Sequence, residues 1–148
     1  LSWGTNSKLA PLFYVDDPEA TVLGQVVFSQ GNCRSGYTVK FFADWTSIYI
    51  AAPNIPAAVL RRIARFAGAH IYSEDGDVLY ATPELLGVHT VAGGKRAFRL
   101  PRRVEVVYDL FEQKTCATNT DEFLVVLEPA STALFFTGSA RILSLLQK

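Results

Sequence analysis

Side chains able to do chemistry are few in this sequence and widely spaced. Carboxylates occur as two close pairs, Asp16/Asp17 and Asp75/Asp77, and Asp44 stands beside Trp45. Glycoside hydrolysis needs two carboxylates flanking one bond. Asp16-Asp17-Pro18 and Asp75-Gly76-Asp77 read instead as turns, in which a short acid bonds its own backbone. Asp44 ends a strand, and one carboxylate is not a pair. His70 and His89 lie singly in apolar runs, which suits half-buried structural residues better than a general base or a metal ligand. Cys33 and Cys116 belong to no CxxC or Cys/His cluster, and neither has the neighbours of an activated nucleophile. Structural zinc takes four ligands, so no metal site is expected. Two buried thiols are the simple reading, and a disulfide stays open for an exported chain. Gly93-Gly94-Lys95 lacks the first glycine and the Ser/Thr of a phosphate loop and reads as a hairpin turn. No catalytic, cofactor or metal residue is therefore assigned.

Two other groupings bear on binding. Lys95, Arg96, Arg99, Arg102 and Arg103 form the main cationic cluster. Glu105, Asp109 and Glu112 follow closely, so a solvated face is expected and not a nucleic-acid surface. Trp45, Tyr49, Tyr14 and Tyr37, with Trp3 as a weaker member, could form a flat platform for a sugar ring, although aromatics in an apolar domain are mostly core. Trp45, Tyr49 and Asp44 are the candidate carbohydrate contacts.

The chain that must position these groups has 148 residues, 49% hydrophobic and 19% charged. Its mean hydropathy is +0.18. That excludes a disordered polar tail. Fourteen Lys+Arg balance fourteen Asp+Glu, so no net field draws it to nucleic acid or an anionic membrane. No apolar run approaches the ~18 residues of a membrane span. The sequence starts at Leu1 without a signal-peptide pattern and holds no methionine, so a fragment or processed chain is expected.

Residues 1–18 read as irregular. Strands are expected over Thr21–Phe28, Gly36–Phe42 and Ser47–Ala51, the first pair joined at Gln30-Gly31-Asn32. Pro56 opens a helix over about 56–67, with Val59, Leu60, Ile63, Phe66 and Ala67 on one stripe and Gly68 as its stop. That stripe is expected to be buried, with Arg61, Arg62 and Arg65 outside. With His70-Ile71-Tyr72 taken as the next strand, the order reads as a βαβ crossover. Beyond Tyr72 short antiparallel strands are expected: Leu85–Val91 in a hairpin with Arg96–Leu100, then Val104–Leu110, Thr115–Ala117, Phe123–Leu127 and Thr132–Phe136. Arg141–Lys148 reads as a short docked helix. The predicted class is α+β: an α/β, flavodoxin-like layer over 1–72, an antiparallel β-domain over 73–138 and a tail over 139–148.

Asp17–Gly24, Asp44–Tyr49 and the helix Leu60–Gly68 followed by Ala69-His70 together resemble the end of the glutamine-amidotransferase-like domain of family 42 β-galactosidases and related multidomain glycoside hydrolases. The stretch from His89 through Asp109-Leu110-Phe111 to Leu134-Phe135-Phe136 is similar to their small C-terminal β-domain. The resemblance implies a trimerisation region and a flavodoxin-like fold. It carries over no active-site residue, because the family's catalytic carboxylates lie on a barrel domain that has no counterpart here. The expected role is thus a non-catalytic accessory region of a carbohydrate-active protein. Its partners would be an upstream catalytic domain or other copies of the chain. The rival readings are a carbohydrate-binding module using exposed aromatics and a small hydrolase using Asp44, His70 or His89. No cofactor is implied.

Overall fold

The computed structural model describes residues 1–28 and 31–147. The turn expected at Gln30 and the last residue of the tail, Lys148, lie outside the described residues. The chain is mostly strand, 48% against 12% helix, and among the described residues every strand pairing is antiparallel. This overturns the predicted flavodoxin-like layer. Two compact units are present, Leu1–Leu60 and Arg61–Lys148.

The first unit is a three-stranded sheet in the order β1 (Thr21–Val27), β2 (Cys33–Phe41), β3 (Thr46–Ile50). These β-branched and aromatic runs form strands at the places the alternation indicates. Consecutive strands joined by short turns must run antiparallel, which is why no parallel layer forms. Thr38 pairs with Tyr49, Val39 with Ile48 and Lys40 with Ser47. Since partners in register share a face, Thr38, Lys40 and Tyr49 lie on one side, and Tyr37, Val39 and Ile48 on the other.

Helix α1 (Ala57–Phe66) ends as the sequence indicates. Gly68 adopts φ 77°, Ala69 N–H donates to Ala64 O at 2.9 Å and Gly68 N–H to Arg65 O at 3.0 Å. This is the paired-bond glycine stop that caps a helix. The expected crossover strand at His70–Tyr72 does not form. Arg99 N–H instead donates to Tyr72 O at 2.8 Å, so this segment lies along a strand of the second unit. With no parallel sheet beneath it, the helical stripe is buried only at Val59; Leu60 and Phe66 remain 50% and 57% exposed.

The second unit is a five-stranded sheet of β4 (Val78–Ala81), β5 (Leu85–Thr90), β6 (Gly94–Asp109), β7 (Lys114–Leu127) and β8 (Ser131–Gly138), ordered β4-β5-β8-β6-β7. The expected hairpin between Leu85–Val91 and Arg96–Leu100 is absent: β5 pairs with β4 and β8, whereas β6 pairs with β7 and β8. Gly93 explains the departure. It holds φ 65°, and a Cβ there would sit 2.5 Å from Pro129 N. The connection from β5 to β6 thus passes tightly against residues 127–129 instead of turning directly back.

β6 runs through Pro101 as one bent strand. Its register on β7 jumps from Arg99↔Glu122 to Val104↔Thr120, so the extra residues around Pro101 form a bulge. Phe98 of β6, Phe123 of β7 and Phe135 of β8 then meet, with ring centroids 5.2–6.1 Å apart, in a core shared with Leu86, Val88 and Val107. Val106 and Phe136 pack with Leu143 of helix α2 (Ala140–Leu146) in a second cluster. Ser139 caps α2, its hydroxyl accepting from Ile142 N–H.

Candidate functional site

The hairpin end of β2 and β3 carries the most organised exposed group of side chains. Phe42 N–H donates to Trp45 O at 2.9 Å, leaving Ala43 and Asp44 as the turn between them. Directly opposed residues across such a turn project to the same side. The Phe42 and Trp45 rings are accordingly stacked, 4.2 Å between centroids and 3° from parallel. Trp45 is 56% exposed and Asp44 is exposed beside it.

Lys40, two residues before Phe42 and so on its side of the strand, places Nζ 5.5 Å from the Phe42 ring centroid. The same ammonium donates to Asp17 Oδ2 at 2.7 Å and to Glu19 Oε2 at 2.9 Å. The bond from Lys40 lowers the Asp17 pKa, helped by the Glu19 N–H, and the two carboxylates raise that of Lys40. Asp17 also accepts from Glu19 N–H at 2.9 Å, the turn bond expected of it.

The other aromatics expected to join Trp45 do not form one platform. Tyr49 is on the Trp45 face, but its hydroxyl donates to Phe13 O at 2.9 Å and ties down the N-terminal segment. Tyr37 lies on the opposite face, edge-on to Trp3 at 6.3 Å. Tyr14 packs edge-on to Phe28, with the Arg34 guanidinium 5.6 Å from its ring. Sequence reasoning missed Phe42, and the available signal was its spacing: aromatics three apart around Ala43-Asp44 in a strand–turn–strand context.

The second unit holds a cleft of about 590 Å³ lined by His70, Tyr72, Glu74, Arg99 and Glu122 among others. His70 Nε2 lies 2.9 Å from Arg99 O, a carbonyl that can only accept, so this nitrogen carries the proton. Its ring stands edge-on to Tyr72. Glu74 is paired with Arg65 and Arg61. His89 Nδ1 instead lies 2.9 Å from Thr132 Oγ1. Each histidine thus has its own structural bond, and Asp44 belongs to the other unit. Among the described residues no group of three or more His, Cys, Asp or Glu could hold a metal ion.

Two assignments change. Asp77 is not a turn acid: it pairs with Arg96, whose Nε is 2.5 Å from Oδ2, and both side chains are buried, 6% and 11% exposed. Arg96 Nη2 also donates to Thr90 Oγ1 at 3.0 Å. Burial raises the Asp77 pKa, but the bonds from Arg96 and Thr90 outweigh it and the net shift is downward. Arg96 therefore leaves the solvated cluster, while Arg99 and Arg103 stay exposed. The thiols also differ from the expected buried pair. Both are free; Cys33 is exposed and Cys116 half-buried, its pKa raised chiefly by burial, the reverse of an activated nucleophile.

Comparison with protein-family models, curated proteins and solved structures gives no match for this chain. Among the described residues no helix is long and apolar enough to cross a membrane.

Proposed function

We propose that this chain is a non-catalytic association module, an accessory region of a carbohydrate-active protein of the kind its sequence resembles. One observation carries the association reading. Strand β1 is an edge of the first sheet, contains no charged residue, and exposes Val22 by 48%, Leu23 by 54% and Val27 by 67%. Isolated proteins guard such edges with charge, proline or a covering segment, because an unguarded apolar edge pairs with other chains. β1 itself carries neither charge nor proline, and its departure from a regular edge is the register shift on either side of Gly24. Among the described residues of the unit the buried apolar side chains are Val39 and Val59, a small core for a sheet of this size. Cover from another polypeptide, a second copy or a neighbouring domain, is the arrangement these features fit.

The bonds that tie His70 to Arg99 O and His89 to Thr132 Oγ1 support the non-catalytic half of the reading, and the parent class rests on the sequence resemblance alone. Leu23→Lys and Val27→Lys test the association half by placing charge on the edge. The reading expects them to lower self-association or hydrophobic-dye binding while the second unit melts unchanged. Unaltered mass and dye signal in both variants would refute it.

A further inference from the structure

Strand β6 has β7 along one side between Gly94 and Asp109, but β8 along the other only from Val106 to Asp109. The first half of β6 is thus an open edge of the kind that pairs with other chains. Residues 70–76 lie against it. Arg99 N–H donates to Tyr72 O at 2.8 Å. In a regular antiparallel ladder Tyr72 N–H would return the bond to Arg99 O. That carbonyl instead accepts from the His70 imidazole, with Nε2 at 2.9 Å, so a side chain stands in for a main-chain donor.

The other contacts of the segment are weaker or lie at its ends. Glu74 pairs with Arg61 and Arg65 but is 62% exposed, and such surface pairs contribute little. Tyr72 is half-buried against the cluster of Phe98 and Phe135. At one end the helix stop at Gly68 is fixed by its own bonds. At the other, Gly76 holds φ 81° and Asp77 is fixed by its buried bond to Arg96. The chain takes more residues from Tyr72 to Asp77 than β6 takes from Arg99 to Arg96, so residues 73–76 bend out from the strand. Ala97, whose main chain faces the same edge as that of Arg99, is left in the wall of the cleft.

We propose that residues 70–76 are a displaceable guard over this half-edge, latched by the His70 side chain, which opens while the five-stranded sheet stays folded. The segment swings between the fixed points at Gly68 and Asp77 and frees the Arg99 N–H and C=O beside those of Ala97. The guard is independent of the association reading, since it belongs to the second unit and not to strand β1.

The test is amide hydrogen exchange of the whole chain, followed residue by residue by NMR in urea below the unfolding transition. Phe98 N–H, of the other parity, points to β7 and reports on the sheet. Arg99 N–H should be protected, exchange faster than Phe98 N–H and respond less steeply to urea, as a local opening does. His70→Ala should speed Arg99 exchange by about two- to tenfold, the weight of one such bond, with Phe98 still slower. His70→Gln, whose amide nitrogen also donates, should restore most of the protection. An unprotected Arg99 N–H, or one that follows Phe98 in rate and urea dependence, would overturn the proposal. Arg99 exchange unchanged in His70→Ala, or equally fast in His70→Ala and His70→Gln, would overturn it too.

Discussion

Phe42 and Trp45 face each other across the Ala43-Asp44 turn with their rings 3° from parallel and 4.2 Å apart. Aromatic pairs of this kind contribute about 0.5–1.5 kcal/mol beyond the burial of the two rings. A double-mutant cycle on Phe42→Ala and Trp45→Ala, read by urea denaturation, is expected to return a coupling in that range. Strict additivity would mean that the rings do not hold one another.

Asp77 makes the second unit sensitive to acid. Its pKa is lowered on folding, so in the window just below about pH 4 the unfolded chain binds the proton more readily. The contribution is complete above the unfolded value and is lost as pH falls through the folded one. Urea midpoints are expected to fall below about pH 4, and less steeply in Asp77→Asn, which is already weaker at neutral pH. The half-buried Asp17–Lys40 pair acts in the same direction, but salt should screen it more than the Asp77–Arg96 pair, which is less exposed. Equal acid loss in Asp77→Asn would show that the buried pair is not its source.

The Asp77–Arg96 pair also shows where the sequence could have been read further. Arg96 stands two residues before Phe98 and four before Leu100, and strand alternation puts all three on the inner face. A cation on a buried face demands an anion, and Asp77 is the acid that fills that role. Arg99 has the other parity and is exposed, as read. The helix and its glycine stop were legible because their bonds are local. The pairing order β4-β5-β8-β6-β7 was not, since it depends on contacts far apart in sequence and on the tight passage at Gly93.

Gly93 should tolerate substitution least among the turn glycines. Its φ of 65° disfavours any side chain, and an added Cβ would fall 2.5 Å from Pro129 N, 2.7 Å from Glu128 C and 2.8 Å from Leu127 O, all backbone. Gly94 has φ 93°, but the nearest obstacle to its Cβ is the end of the Arg96 side chain at 3.5 Å. Gly94→Ala is expected to cost about 1 kcal/mol and Gly93→Ala clearly more, as measured by thermal unfolding. Equal losses would mean that the β5–β6 connection does not press on 127–129.

Burial separates the helix from the β-core. Phe135 is fully buried, so Phe135→Ala should cost about 3–5 kcal/mol. Leu60, half exposed, should lose about 1 kcal/mol or less on truncation to Ala. A Leu60→Ala loss as large as the core value would restore the sequence expectation of a fully buried stripe.

The candidate site was legible in part. Trp45 and Asp44 stood out as an aromatic beside an acid at a strand end, and the structure leaves both exposed between β2 and β3. Tyr49, Tyr14 and Tyr37 were grouped with Trp45 by residue type alone. Alternation removes Tyr37 to the other face, and a hydroxyl bond to Phe13 O commits Tyr49 to the fold. Phe42 supplies the stacking partner instead, through a turn geometry that composition does not reveal.

The association role is tested most directly by light scattering over a concentration series, with a hydrophobic dye titrated into the same samples. Cover by a second copy predicts a molar mass rising above 16.3 kDa with concentration. Cover by another domain predicts a chain that stays at that mass and binds dye at the β1 edge, with the signal lost in Leu23→Lys and Val27→Lys. A chain that remains monomeric at every concentration and leaves the dye dark would contradict an association module.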